Sequence, residues 1–264
     1  MNNKWNELNK AQRWEVSEII AEMNLPTINK SIREVEYKDT FYTKYIKRFF
    51  DIFFSLIALI ILSPVLIIMA ILTYLDVGHP IIFKQTRVGK NGKPFTMYKF
   101  RNMTNEVDAN GELLHPSKRV TKLGKFMRRT SLDELLNFYS VLKGDMSLIS
   151  PRPLVEEYTN RYNKRHKGRL LIKPGLECPP IDPSKSNRTW QNQFDNDVWY
   201  VENISFKTDL KMTLNFIKLL FDRSNNKQRS NATGKGSFIG YNEEGKVINE
   251  KGVPLELIER VLNK

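Results

Sequence analysis

The feature that most constrains this chain is a long apolar run, FFDIFFSLIALIILSPVLIIMAILTYL, from Phe49 to Leu75, with Asp51 as its only charge. About 20 apolar residues suffice to cross the hydrocarbon core of a bilayer, so membrane contact is the first expectation. Ser63 and Pro64 interrupt the run near its middle. A proline removes a backbone donor and clashes with the preceding turn, kinking or breaking the helix there. Each half is then shorter than a comfortable span. Lys44, Lys47 and Arg48 precede the run, and Lys84, Arg87, Lys90 and Lys93 follow it. Basic residues mark cytoplasmic flanks, and a spanning segment carries them asymmetrically. Here both flanks have that character. The expectation is a re-entrant helix-break-helix over 44–76, with its break at Ser63-Pro64, dipping into one leaflet and returning; a kinked span is the alternative.

Around this run the 264 residues leave room for one good-sized domain with appendages. The formal net charge of +13 points to anionic partners: nucleic acid, acidic headgroups or phosphorylated small molecules. No nucleic-acid motif accompanies the charge, so ordinary phosphate affinity accounts for it and no nucleic acid is expected as partner. A single cysteine, Cys178, rules out a disulfide framework within one chain. His79, His115 and His166 are scattered, without metal-ligand spacing. The first forty residues are polar and carry no secretory signal.

The chain divides into an N-terminal extension at 1–43, the membrane helix at 44–76, a catalytic domain at 77–222 and a C-terminal tail at 223–264. The extension, with Trp5, Leu8, Trp14, Ile19, Ile20 and Met23 among charges, predicts one or two helices punctuated by Pro26. Residues 81–103 read as a β-hairpin around Gly89, Asn91-Gly92 and Pro94, with Arg87, Lys93, Lys99 and Arg101 available to anions. After a polar loop at 104–116 come two helical stripes, the second ending at Gly144 as a C′ residue. A Pro-bounded Arg152 precedes a helix expected from about Leu154. A proline-dense loop and two further helices follow, the last punctuated by Lys211 and Lys218 and suited to a membrane interface. The tail is polar and Gly-rich, and is expected to extend over the surface. The fold class is α+β, mainly helical: a re-entrant membrane helix plus a cytosolic catalytic domain with a small β-hairpin and amphipathic interfacial helices.

The stretch RRTSLDELLNFYSVLKGD holds Ser131, then Asp133 and Glu134, where an apolar rhythm begins. Ser131-x-x-Glu134 has the form of a capping box, in which Asp133 merely favours the positive helix end. The chemical alternative gives the carboxylates separate tasks, since successive helical residues point about 100° apart. One attacks phosphorus while the other holds a cation. Arg128 and Arg129 stand upstream to neutralise phosphate oxygens. Arg152, between Pro151 and Pro153, is a rigidly placed guanidinium whose fork suits phosphate.

In order, KRFFDIFFSLIALIILSPVLII, YKFRNM, LGKFMRRTSLDELLNFYSVLKGDMSLISPRPL, RHKGRLLIKPG and WYVENISFKTDL resemble the monotopic phosphoglycosyl transferases, or bacterial sugar transferases, from about Tyr45 to about Asp222. The likeness is greatest to the small single-domain members. The resemblance implies transfer of a sugar 1-phosphate from a UDP-sugar to undecaprenyl phosphate, releasing UMP, through a covalent aspartyl-phosphosugar. It implies Asp133 as nucleophile, Glu134 as Mg2+ ligand, and Arg128 with the Pro151-Arg152-Pro153 loop as phosphate contacts. Lys99 and Arg101, in the matching YKFRNM segment, are further candidates for substrate binding. Ser63-Pro64 matches the family's membrane break, and Lys47, Arg48 and Asp51 its membrane-border cluster. The implied location is the bacterial inner membrane, with the catalytic domain on the cytoplasmic face and downstream glycosyltransferases as partners. The sugar and the oligomeric state stay open. One departure stands out: after Lys173-Pro174-Gly175, where many members carry Gly-Trp-x-Gln and Gly-Arg, this chain reads LECPPIDPSKSNR. Arg188 is a candidate substitute for the missing arginine. The altered loop at 176–188 is also the one feature favouring a non-catalytic relative that serves as a membrane scaffold or lipid-phosphate binder; the intact Asp133-Glu134 pair and the arginines oppose that reading.

Overall fold

The computed structural model describes residues 3–109, 111–182, 189–221 and 235–264. The N-terminal extension forms one long helix, α1 (Lys10–Ser31). It starts at a reciprocal cap: Gln12 N donates to the Asn9 side chain, and Asn9 N donates to the Gln12 side chain. Pro26 lies within α1 and does not divide it, contrary to its expected role as punctuation.

A π-helical turn at Tyr42–Ile46 leads into α2 (Lys47–Val77), 31 residues long. Here too the helix continues through the proline, so the break expected at Ser63-Pro64 does not interrupt the hydrogen-bonded element. The physical reason is local. The carbonyl that Pro64 leaves without its amide is that of Ile60, and the Ser63 hydroxyl donates to it at 2.8 Å. A hydroxyl thus takes over the missing bond, which is how apolar surroundings tolerate a helix proline.

Both ends of α2 are fastened to one folded body. Near the start, Lys47 Nζ donates to the Ile149 carbonyl and to Asp209, and Asp51 accepts from Ser147 Oγ and Leu148 N. Near the end, Met69 is buried against Phe100 and Met127, and Asp76 accepts from the Thr121 hydroxyl. Between them, residues 56–68 contain no buried side chain, and Ile60, Ile61, Ile67 and Ile68 are exposed.

The hairpin forms as expected: β1 (Ile82–Val88) pairs antiparallel with β2 (Pro94–Phe100), and Phe83 faces Lys99 across the ladder. Its turn places Asn91 and Gly92 at positive φ. A single turn, α3 (Pro116–Arg119), precedes α4 (Lys122–Thr130). Then come a 3-10 turn at Leu132–Glu134 and α5 (Asn137–Lys143). Gly144, at φ 101°, closes α5 in the left-handed conformation expected of a C′ residue. The guanidinium of Arg48 donates to the Val141 and Leu142 carbonyls in the last turn of α5, joining that helix to the base of α2.

Two short strands, β3 (Ser147–Ile149) and β4 (Gly175–Glu177), pair in parallel. The helix expected from Leu154 is instead extended chain followed by a 3-10 stretch, Glu156–Arg161. Its end Arg161 is drawn inward, where it donates to the Phe238 carbonyl at 2.8 Å. Next come α6 (Lys164–Lys167), α7 (Trp190–Glu202) and α8 (Phe206–Phe221). The chain ends in a two-stranded ribbon, β5 (Gly240–Tyr241) with β6 (Val247–Ile248), and α9 (Leu255–Leu262).

The tail corrects the sequence reading most. From residue 235 it is not extended over the surface but packed into the fold; residues 223–234 lie outside those described. Ile239, Val253, Ile258 and Val261 share a core with Trp5, Leu8, Val16 and Ile20 of the N-terminal extension. Phe238 and Tyr241 pack with Ile28, Tyr162 and Phe194. Neither end has enough apolar residues for a core of its own, and each completes the other. We expect Ile258→Ala to cost about 2–5 kcal/mol. Denaturant unfolding of the purified protein measures this, and a loss below about 0.5 kcal/mol would contradict the shared core.

Candidate active site

Helix α4 ends abruptly. Ser131 takes the left-handed conformation (φ 59°), and its amide donates to the Met127 carbonyl. The chain reverses there, and the 3-10 turn that follows presents Asp133 and Glu134 to a cleft. Leu132 and Leu136 point the other way, into the cluster around Phe100 and Met127. The expected capping box is absent: Ser131 makes no side-chain cap. Glu134 reaches across to two cations, which bind a carboxylate more strongly than one neutral amide can.

The cleft has a volume of about 560 Å³ and is bounded by the hairpin, by α4 and the turn after it, and by the Arg152 loop. Glu134 accepts from Lys99 Nζ at 2.7 Å and from Arg152 Nη2 at 2.8 and 2.9 Å. Burial alone would raise its pKa, but Arg152 and then Lys99 outweigh burial and hold it at about 2. Glu134 is therefore an ionised acceptor at any working pH. Arg152 also donates to Glu177 at 3.3 Å. Its carbonyl accepts from Arg169, whose guanidinium forms a buried pair with Asp197. Pro151 and Pro153 restrict the backbone on either side of it.

Asp133 lies deeper, at 5% exposure. Burial, and next the charge of Glu134, push its pKa up. Asn102 Nδ2 donates to Asp133 Oδ2 at 2.9 Å. The Asn102 oxygen accepts from Arg128 Nε and Nη2 at 3.1 and 2.8 Å. Arg101 lines the same cleft and donates to the His79 carbonyl just beyond α2.

The fold thus brings Asp133, Glu134, Lys99, Arg101, Arg128 and Arg152 to one cleft; Pro151 and Pro153 flank Arg152 in the chain but do not line that cleft, and face a separate small cavity with Val88 and Gly89. Arg129 is exposed and does not line it, while Ser63 and Pro64 sit midway along α2, also exposed. Arg188 lies outside the described residues. Asn102 and Glu177 escaped the sequence reading. Asn102 stood within YKFRNM, but an asparagine carries no charge to single it out.

Among the described residues no group of three or more His, Cys, Asp and Glu side chains is placed to hold a metal. Mg2+ does not require one: it commonly takes one or two carboxylates and completes its shell with water and substrate phosphates. Glu134 is the residue that could supply one such carboxylate, although in this structure its two oxygens accept from Lys99 and Arg152.

A sequence profile of the family described as bacterial sugar transferase matches residues 42–223. The chain is 41% identical over 167 residues to an uncharacterized sugar transferase, EpsL, of Bacillus subtilis, covering 63% of this chain and 83% of that one. It is 34% identical over 198 residues to the undecaprenyl-phosphate galactose phosphotransferase of Salmonella typhimurium, covering 69% of this chain and 41% of the relative. It is 40% identical over 177 residues to the UDP-glucose:undecaprenyl-phosphate glucose-1-phosphate transferase of Klebsiella pneumoniae, covering 63% of this chain and 38% of the relative. The chain therefore spans most of the short relative and about two fifths of the long ones.

The raised pKa of Asp133 has a consequence for stability. The fold prefers the protonated carboxyl, so stability falls as pH rises from the ordinary value of 3.8 through the raised one. Above that window the ionised Asp133 is destabilising. Asp133→Asn, which carries no charge, should melt above the wild type at pH 8, and the difference should shrink as pH falls through the window. A thermal melt series against pH checks this; a variant less stable at pH 8 would contradict it.

Proposed function

The chain belongs to the bacterial sugar transferase family, and on that premise we propose that it is a polyprenol-phosphate phosphoglycosyl transferase. It moves a sugar 1-phosphate from a UDP-sugar to undecaprenyl phosphate, releasing UMP and initiating glycoconjugate assembly. The observation that carries this reading is the carboxylate pair at the cleft, with Asp133 buried and pushed up, Glu134 held ionised, and Lys99, Arg128 and Arg152 around them. The names of the Salmonella and Klebsiella relatives support the same acceptor.

In this reading a carboxylate oxygen of Asp133 attacks the β-phosphorus of the UDP-sugar. The bond from that phosphorus to the bridging oxygen breaks, and UMP leaves with the electron pair. A phosphate oxygen of undecaprenyl phosphate then attacks the same phosphorus, and the Asp133 carboxylate departs. Two displacements replace one. Raising the pKa of Asp133 makes it a more basic, stronger nucleophile. Arg128, Arg152 and Lys99 offset the charge that collects on the phosphoryl oxygens. Mg2+, held by Glu134 together with the substrate phosphates, would neutralise the diphosphate and the leaving UMP.

In this reading the cleft meets its lipid acceptor at headgroup height, on the cytoplasmic face of the inner membrane. The tethering of both ends of α2 to one body supports a re-entrant placement over a span. Single cysteines at Lys38 and Lys84 should label from the same side of sealed vesicles; labelling from opposite sides would overturn this topology.

A panel of UDP-sugars with undecaprenyl phosphate, read by UMP formation, tests the reaction. Asp133→Asn should reduce UMP release by at least about 1,000-fold, and Glu134→Gln by about 100-fold. Labelled phosphosugar should remain bound to the wild-type protein when no lipid acceptor is supplied. Full UMP release by Asp133→Asn would refute the assigned nucleophile.

A further inference from the structure

Between the guanidinium of Arg128 and the carboxylate of Asp133 stands one neutral side chain, Asn102, at 9% exposure. Arg128 gives it two donors, Nε and Nη2, at 3.1 and 2.8 Å. A guanidinium has no acceptor, so the end of the amide that faces it must be the oxygen. The other end is then the NH2 group, which faces Asp133 Oδ2 at 2.9 Å. The polarity of the relay is forced by chemistry: Arg128 donates to Asn102, and Asn102 donates to Asp133. An aspartate at 102 would accept from Arg128 equally well but would have nothing to give Asp133.

The backbone beneath Asn102 is held as firmly as the side chain. Gly124 of α4 lies against the Asn102 carbonyl so closely that a Cβ there would come within 2.1 Å of the oxygen. The segment after β2 is thereby pressed onto the same helix that carries Arg128. Asn102 cannot shift without moving α4, and the amide cannot turn over without opposing two N–H donors to its own NH2.

The geometry points to Asn102 as the positioning residue for the carboxylate of Asp133: it engages Oδ2, sets the rotation of the carboxyl group and leaves Oδ1 as the oxygen presented to phosphorus. This rests on the phosphosugar-transfer reading above. It also links the tasks of two residues. Arg128, a phosphate contact in that reading, fixes the amide that aims Asp133, so a donor phosphate that orders Arg128 orders the nucleophile as well.

Two variants separate positioning from support. Asn102→Asp keeps the shape of the side chain and its acceptor for Arg128, but removes the donor. Asn102→Ala removes both. Misplacing a reacting group by about 1 Å costs about 100-fold. Both variants should therefore lose about 100-fold in the maximal rate constant for UMP release in a single turnover without lipid acceptor, while for Asn102→Asp the UDP-sugar concentration giving half that maximum stays within about threefold of wild type. A residue that merely held Arg128 in place would be rescued by aspartate, so Asn102→Asp turning over at the wild-type rate would overturn the assignment. If the wild-type protein itself releases no UMP from any UDP-sugar, the functional reading fails, and the positioning contact is then decided by melting alone. Asn102→Ala and Asp133→Ala, single and combined, should shift Tm non-additively by about 2 °C or more. Additive shifts would show that the two side chains are not coupled and would overturn the proposal.

Discussion

The carboxylate of Glu134, shared between Lys99 and Arg152, holds the site together. Each partner comes from a different part of the chain: Lys99 from β2, Glu134 from the turn after α4, and Arg152 from the loop between β3 and β4. A carboxylate between two cations is stable when partly buried only if both are present. Removing either leaves the other charges unbalanced in a poorly solvated place. The price of assembling so many charges is met by a second layer, in which Arg169 pairs with the fully buried Asp197 and binds the Arg152 carbonyl. The result is two neighbouring carboxylates with opposite tendencies: Glu134 pulled down to about 2 and Asp133 pushed up. Their difference comes from partners, since Asp133 faces a neutral amide where Glu134 faces two full positive charges.

A second constraint is the fixing of α2 at both ends. Lys47, Arg48 and Asp51 at its start, and Met69 and Asp76 towards its end, all meet the folded body that carries the cleft. Arg101 joins this arrangement to the site, since it lines the cleft and binds the His79 carbonyl just past the end of the helix. The exposed apolar middle of α2 and the charged cleft are therefore joined through contacts at both ends of that helix. In the proposed reaction that coupling brings a lipid phosphate and a soluble diphosphate to the same carboxylate.

Where the sequence reading went astray, the causes are specific. Ser131-x-x-Glu134 has the pattern of a helix start, yet Ser131 ends the previous helix and Glu134 prefers distant cations to the nearby amide. Pro26 and Pro64 looked like boundaries and are both accommodated inside helices, the second with help from the Ser63 hydroxyl. The tail reads as extended surface chain because its apolar residues are spread among glycines and charges. Their partners, Trp5, Leu8, Val16 and Ile20, stand more than two hundred residues away, beyond the reach of any local pattern.

The sequence by itself determined the apolar helix, the hairpin with its Asn91-Gly92 turn, the glycine that closes α5, and the residue types that gather at the cleft. These follow from short-range physics: the length of an apolar run, the need for positive φ in a tight turn, and the demand of phosphate chemistry for carboxylates and guanidinium groups. Only the tertiary structure decided which carboxylate is buried and which is paired, that Asn102 stands between Arg128 and Asp133, and that the two ends of the chain share a core. Those depend on the relative placement of segments far apart in sequence. Burial and charge partners act through space, and space is assigned only once the chain has folded.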